Sequence, residues 1–128
     1  MILLDTHVWI WANLAPERLS PAIAEALQRG GAECCISSIT VWETILAGQR
    51  RRIVTTLPPE ETARRWIAAS PVVVVPIDAE IAILSRTLEF NHSDPADRFI
   101  AATAYHLNCP LATADEQLRQ LSWLNTLS

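Results

Sequence analysis

Residues 2–10 read ILLDTHVWI, and the break at Asp5 decides the fold. Ile2 to Leu4 is a short, wholly apolar run of the kind found in a strand covered on both faces. Past Thr6 and His7 the apolar pattern resumes as a helix. A carboxylate at the mouth of such a strand has two readings. It can cap the helix that begins near His7, since Asp is a good N-cap. It can also face a ligand, because open α/β sheets bind ligands beyond the carboxyl ends of their strands. On Asp5 alone the two readings stand level.

The same strand pattern recurs at about Cys34 to Ile36, at Val72 to Val75 and at Leu111 to Ala112. Helices with recognisable starts lie between: Ser20-Pro21, Pro58-Pro59, Asp78 and Asp94-Pro95 each precede an amphipathic stretch. Gly30-Gly31 and Gly48 supply helix ends. With no repeat or linker, this alternation predicts one α/β domain over residues 1–128. The expected architecture is a three-layer sandwich, its central and mostly parallel sheet built from four or five short strands. Disorder is expected only in the last few residues.

Composition removes several function classes. The net charge is −4, which argues against gripping nucleic acid through broad electrostatic attraction. All ten basic residues are arginine. Phosphate-loop nucleotidases, receiver domains and haloacid-dehalogenase-like phosphatases depend on a lysine, so those readings drop out. The apolar runs fall far short of the roughly 20 residues of a membrane span, and no basic flank marks a secretion signal; cytoplasmic residence is the expectation. Cys34, Cys35 and Cys109 have neither disulfide nor zinc spacing and read as small buried apolar residues.

Four carboxylates stand at element boundaries or in apolar surroundings. Asp5 is the first. Glu43 falls on or beside the stripe Ile39, Trp42, Leu46, where a carboxylate is costly unless a cation, an arginine or other donors meet it. Asp94 suits an N-cap, whereas Asp97 shares a face with Ile100, Ala101 and Ala104. Placed at a helix N-terminus, Asp97 is expected to keep a low pKa. Asp115 follows the last apolar strand, with Thr113 and Glu116 spaced as a capping box that would leave it free to face the site. If the strands ending at Asp5 and before Asp115 are neighbours, the four acids converge. Such a pocket is comfortable only around a cation, and its all-oxygen character points to Mg²⁺ or Mn²⁺.

These stretches, LLDTHVWIW, ISSITVWE, HSDPADRFIAATA and LATADEQL, together resemble a PIN domain, and in particular the VapC-like toxins of prokaryotic toxin–antitoxin modules. The resemblance spans nearly the whole chain in order and spacing. It implies a metal-dependent ribonuclease with Asp5, Glu43, Asp97 and Asp115 as its acidic site, Asp94 as a cap, and 5′-phosphate and 3′-hydroxyl products. It further implies an RNA substrate, a cognate antitoxin and a homodimer. The stretch GQRRR replaces the Lys-Gly-Arg-like turn common in relatives, and Glu89-Phe90-Asn91-His92 replaces a Pro-Gly. A DNA nuclease or a non-catalytic protein-binding domain are the alternatives for the same fold.

Around this site the remaining expectations are simpler. Arg50, Arg51 and Arg52 either hold the RNA backbone or solvate a helix end. Arg98 is expected to pair with a neighbouring carboxylate. Trp9 and Trp11 point to nearly opposite helix faces, so one enters the core and the other is partly exposed. Trp42, Trp66 and Trp123 are expected in the core. Thr6 reads as a cap, His92 as a loop residue, and His7 has no assigned role.

Overall fold

The computed structural model of the protein describes residues 1–29, 33–91 and 93–128. Five parallel strands lie in the order β3-β2-β1-β4-β5: β1 Ile2–Leu4, β2 Cys34–Ser37, β3 Val72–Val75, β4 Leu111–Ala112 and β5 Thr126–Leu127. The helices are α1 Thr6–Leu14, α2 Pro21–Gln28, α3 Ser38–Gln49, α4 Pro59–Ala69, α5 Ala79–Thr87, α6 Pro95–Leu107 and α7 Glu116–Arg119.

The two-residue period of the central strands divides the core in two. Leu3, Cys35 and Leu111 point to one face, where they meet Ile100, Ala101 and Ala104 of α6 and Leu118 of α7. Ile2, Leu4, Ile36 and Ala112 point to the other, against Val8 and Trp9 of α1 and Ile23 of α2. Side chains as fully buried as Leu3, Ile36 and Ile100 each contribute about 1.5–3 kcal/mol. The small residues of α6 let that helix sit close on the sheet. Ser20, Asp78 and Asp94 cap their helices through side-chain oxygens, as their positions in the sequence predict.

Several details differ from expectation. The C-terminal residues form β5 rather than a disordered end, because Leu111 and Thr113 donate their N–H groups to Asn125 and Leu127. As an edge strand, β3 is not covered on both faces, and Val73 is 47% exposed. Cys34, at the start of β2, is half-buried, while Cys35 and Cys109 are buried. Gly48 does not end α3, which runs on to Gln49. A Cβ there would come within 2.8 Å of the Pro59 ring, so the glycine is needed for the approach of α4. The expected helix end at Gly30-Gly31 lies outside the described residues.

Trp42 is 57% exposed instead of buried. The inward face of α3 is carried by Thr40 and Thr44, which can be buried because both hydroxyls find partners: Thr44 donates to the Thr40 carbonyl, and Thr40 meets Thr6. That rotation turns Trp42 to solvent. Trp66 and Trp123 pack on the two cores from their margins. Trp9 is buried and Trp11 half-buried, as their spacing requires.

Candidate metal centre

β1 and β4 are adjacent, with Leu4 opposite Ala112, so the chain leaves both strands at the same end of the sheet. Asp5 and Asp115 stand on those two exits. Asp5 is 2% exposed. Its Oδ1 accepts from the Thr6 N–H at 2.9 Å, and its Oδ2 accepts from Thr113 Oγ1 at 2.7 Å. Burial raises its pKa; His7, Thr113 and Thr6 oppose that, and Asp115 adds to it. Asp5 therefore caps α1 with one oxygen and faces β4 with the other.

Thr6 is not a cap. Its hydroxyl donates to Glu43 Oε1 and lies 3.0 Å from Thr40 Oγ1. A hydroxyl has one proton to give, so Thr40 donates to Thr6 and Thr6 to Glu43. This relay, rather than an arginine, meets Glu43 on α3. Burial lifts the Glu43 pKa, Thr6 lowers it, and Asp5 and Asp94 lift it further.

Asp97 is brought in by α6, whose N-cap is Asp94 through a 3.0 Å bond from Ala96 N–H. The expected low pKa is overturned. Burial, followed by the charges of Asp5, Asp94, Asp115 and Glu43, lifts Asp97 to about 8. The helix terminus is outweighed because desolvation and four like charges act on the same group.

The capping box at Thr113 and Glu116 is also overturned. Asp115 itself caps α7, its Oδ1 accepting from Gln117 and Leu118 N–H at 2.8 and 3.3 Å. The Thr113 hydroxyl is taken by Asp5 and accepts from the Asp115 N–H at 3.0 Å. Asp115 nonetheless stays within the acidic field, since its charge acts on both Asp5 and Asp97.

Thr6, Thr40, Thr113 and His7 were not singled out as site residues by the sequence. Their only signal was position, at strand mouths or facing them, where a β-branched hydroxyl is indistinguishable from a capping residue. His7 Nδ1 lies 3.5 Å from Asp5 Oδ2, and Nε2 accepts from the Ala114 N–H at 2.9 Å. Arg98 does not pair with a carboxylate among the described residues: it donates to the Ser85 carbonyl and stacks on Phe90. Arg50, Arg51 and Arg52 are exposed at the end of α3, with Arg51 at φ 57°. Arg50 follows Glu43 by seven positions, about 10 Å along the helix axis. His92 lies outside the described residues.

The donor set suits a hard divalent cation. It is made of carboxylate oxygens that repel one another and are partly stripped of water. Among the described residues no three carboxylate, imidazole or thiol groups stand ready-made around one ion. Mg²⁺ tolerates that, since it keeps several waters and takes only one or two carboxylates. An apolar recess of about 400 Å³ lies elsewhere, between Trp9, Leu19, Leu27 and Val72, and none of the four acids lines it.

The model of the PIN domain family matches residues 2–124. The chain belongs to the PIN domain family. This PIN domain is 32% identical over 121 residues to Ribonuclease VapC22 of Mycobacterium tuberculosis, covering 92% of this chain and 89% of the relative. Its fold matches that of VapBC2 from Rickettsia felis bound to a promoter DNA fragment, with a TM-score of 0.71 at 16% identity over 99% of this chain and 98% of the other. It also matches VapC20 of Mycobacterium tuberculosis, a toxin that cleaves the sarcin-ricin loop, with a TM-score of 0.69 at 15% identity over 95% of each chain. At those identities the structural likeness speaks for the fold of this PIN domain alone. No helix among its described residues is long and apolar enough to cross a membrane.

Proposed function

We propose that this PIN domain is a Mg²⁺- or Mn²⁺-dependent endoribonuclease, the toxin of a toxin–antitoxin pair. One observation carries the reading: carboxylates from separate elements gather at one end of the sheet, where the charges of Asp5, Asp115 and Glu43 all act on the half-buried Asp97. The 32% identity to Ribonuclease VapC22 agrees with it.

Asp5 and Asp97 are the proposed principal metal ligands, with Glu43 and Asp115 completing the shell directly or through water. A bound divalent ion supplies the positive charge that offsets the phosphodiester and eases deprotonation of the attacking water. The Thr40–Thr6 relay fixes the orientation of Glu43, and Thr113 fixes Asp5, so neither carboxylate has to be ordered when substrate arrives. Glu43 or Asp115 orients the nucleophilic water and takes its proton. The products carry a 5′-phosphate and a 3′-hydroxyl. Arg50, Arg51 and Arg52 hold the RNA backbone beyond the end of α3. A cytoplasmic setting, a homodimer and an antitoxin partner belong to the same reading, with the half-exposed Trp11 available to a partner surface.

The test is cleavage of matched single-stranded RNA and DNA by purified protein with Mg²⁺, beside an EDTA control and Asp97→Asn. RNA cleavage by the wild type alone is expected. Equal cleavage in all three preparations means a contaminating nuclease and removes the assignment, while preference for DNA reassigns the substrate.

A further inference from the structure

We propose that His7 is a positioning residue: its ring holds the Ala114–Asp115 turn by a hydrogen bond while standing beside the Asp5 carboxylate, and so sets the separation of the two strand exits. The catalytic consequence rests on the ribonuclease reading; the clamp itself rests on geometry alone. Ala114 N–H donates to Nε2 at 2.9 Å, so Nε2 carries no proton and the ring proton sits on Nδ1. Nδ1 faces Asp5 Oδ2 at 3.5 Å, the same oxygen that accepts from Thr113. One side chain therefore hydrogen-bonds the backbone immediately before Asp115 and, with its other nitrogen, stands at a longer distance beside the carboxylate that closes β1.

The ring is backed on its own helix. The Trp11 indole lies 4.9 Å from it at an angle of 60°, and the Arg18 guanidinium sits 4.7 Å above Trp11. This stack limits the rotations that would let His7 leave Ala114. Thr113 holds the same turn from the inside, donating to Asp5 and accepting from the Asp115 N–H. The turn is thus fastened twice, by a buried hydroxyl and by a more accessible imidazole.

The two nitrogens can be separated by substitution. In His7→Gln the amide oxygen reaches the place of Nε2 and still accepts from Ala114, but nothing faces Asp5. In His7→Asn the amide donor faces Asp5 but falls short of Ala114. Nitrogen-15 NMR of the labelled full chain reads the tautomer directly, with the His7 signals identified by their loss in His7→Gln. The Nδ1–H form is expected with or without metal, and a ring protonated on Nε2 overturns the clamp whatever the activity.

Steady-state RNA cleavage and Mn²⁺ binding supply the functional arm. His7→Ala is expected to lower kcat and Mn²⁺ affinity by about tenfold or more while leaving the RNA KM nearly unchanged, the scale set by residues that orient metal ligands. His7→Gln and His7→Asn each recover part of the loss, and circular dichroism confirms that all three are folded. Wild-type values in His7→Ala, or no recovery in either amide variant, overturn the proposal. A wild type that neither binds Mn²⁺ nor cuts RNA removes the ribonuclease reading, and the tautomer then still decides the clamp.

Discussion

Thr113 Oγ1 donates to Asp5 Oδ2 at 2.7 Å, joining two buried side chains 108 positions apart in the chain. This bond closes the site from the β4 side, because the same hydroxyl accepts from the Asp115 N–H. Thr113→Val keeps the shape and removes both interactions. It leaves a buried carboxylate oxygen short of a donor, which costs about 1–3 kcal/mol. Denaturant unfolding is expected to show that loss, and added Mn²⁺ to restore part of it; an unchanged midpoint contradicts the role given to Thr113.

Asp97 makes the metal-free protein sensitive to pH. Its pKa rises from 3.8 unfolded to about 8 folded, so the native state holds the proton more tightly. The stability it contributes is fully present below pH 3.8 and is lost as pH rises towards and through about 8. Asp97→Asn removes this dependence. Thermal melts in EDTA are expected to show the variant equal to wild type near pH 4 and more stable near pH 8.

On the proposed function, metal and proton compete for the same carboxylate. Below pH 8 the ion displaces the proton from Asp97, so Mn²⁺ affinity rises with pH. Calorimetry in two buffers of different ionisation enthalpy is expected to find protons released on binding at pH 6. At about 100 times Kd, the ion stabilises the fold by about 2.7 kcal/mol. No proton release at pH 6 contradicts Asp97 as a ligand.

Gly48→Ala separates stability from chemistry. The added methyl meets the Pro59 ring at 2.8 Å, and overpacking of this kind costs about 1–3 kcal/mol. Unfolding is expected at lower denaturant, with RNA cleavage per folded molecule unchanged. A selective loss of cleavage shows instead that the α3–α4 contact tunes the position of Glu43.

The sheet was legible because its central strands bury both faces, and Ile2–Leu4 and Leu111–Ala112 can hide nothing polar. The four acids were legible because Asp5, Asp97 and Asp115 stand at or near element ends, while Glu43 stands on an apolar helix stripe. The roles of the threonines were not, since Thr6 and Thr113 have the same local pattern whether they cap a helix or reach across the fold. Nor was the rotation of α3: Ile39, Trp42 and Leu46 form a plausible apolar stripe, yet Thr40 and Thr44 win the interior because their hydroxyls find partners there. The elevated pKa of Asp97 depends on burial first, and then on the charges of Asp5, Asp115 and Glu43 from other elements as well as on Asp94 of its own helix cap.

The central place of β1, between β2 and β4, also orders events during synthesis. The first strand leaves the ribosome early, but its second neighbour is encoded more than one hundred residues later. Asp5 and Asp115 cannot meet until β4 and the turn that follows it have been made and released. A partly translated chain that stops short of Asp115 therefore lacks the fourth carboxylate, and on the proposed function its metal site is completed only after β4 has been made.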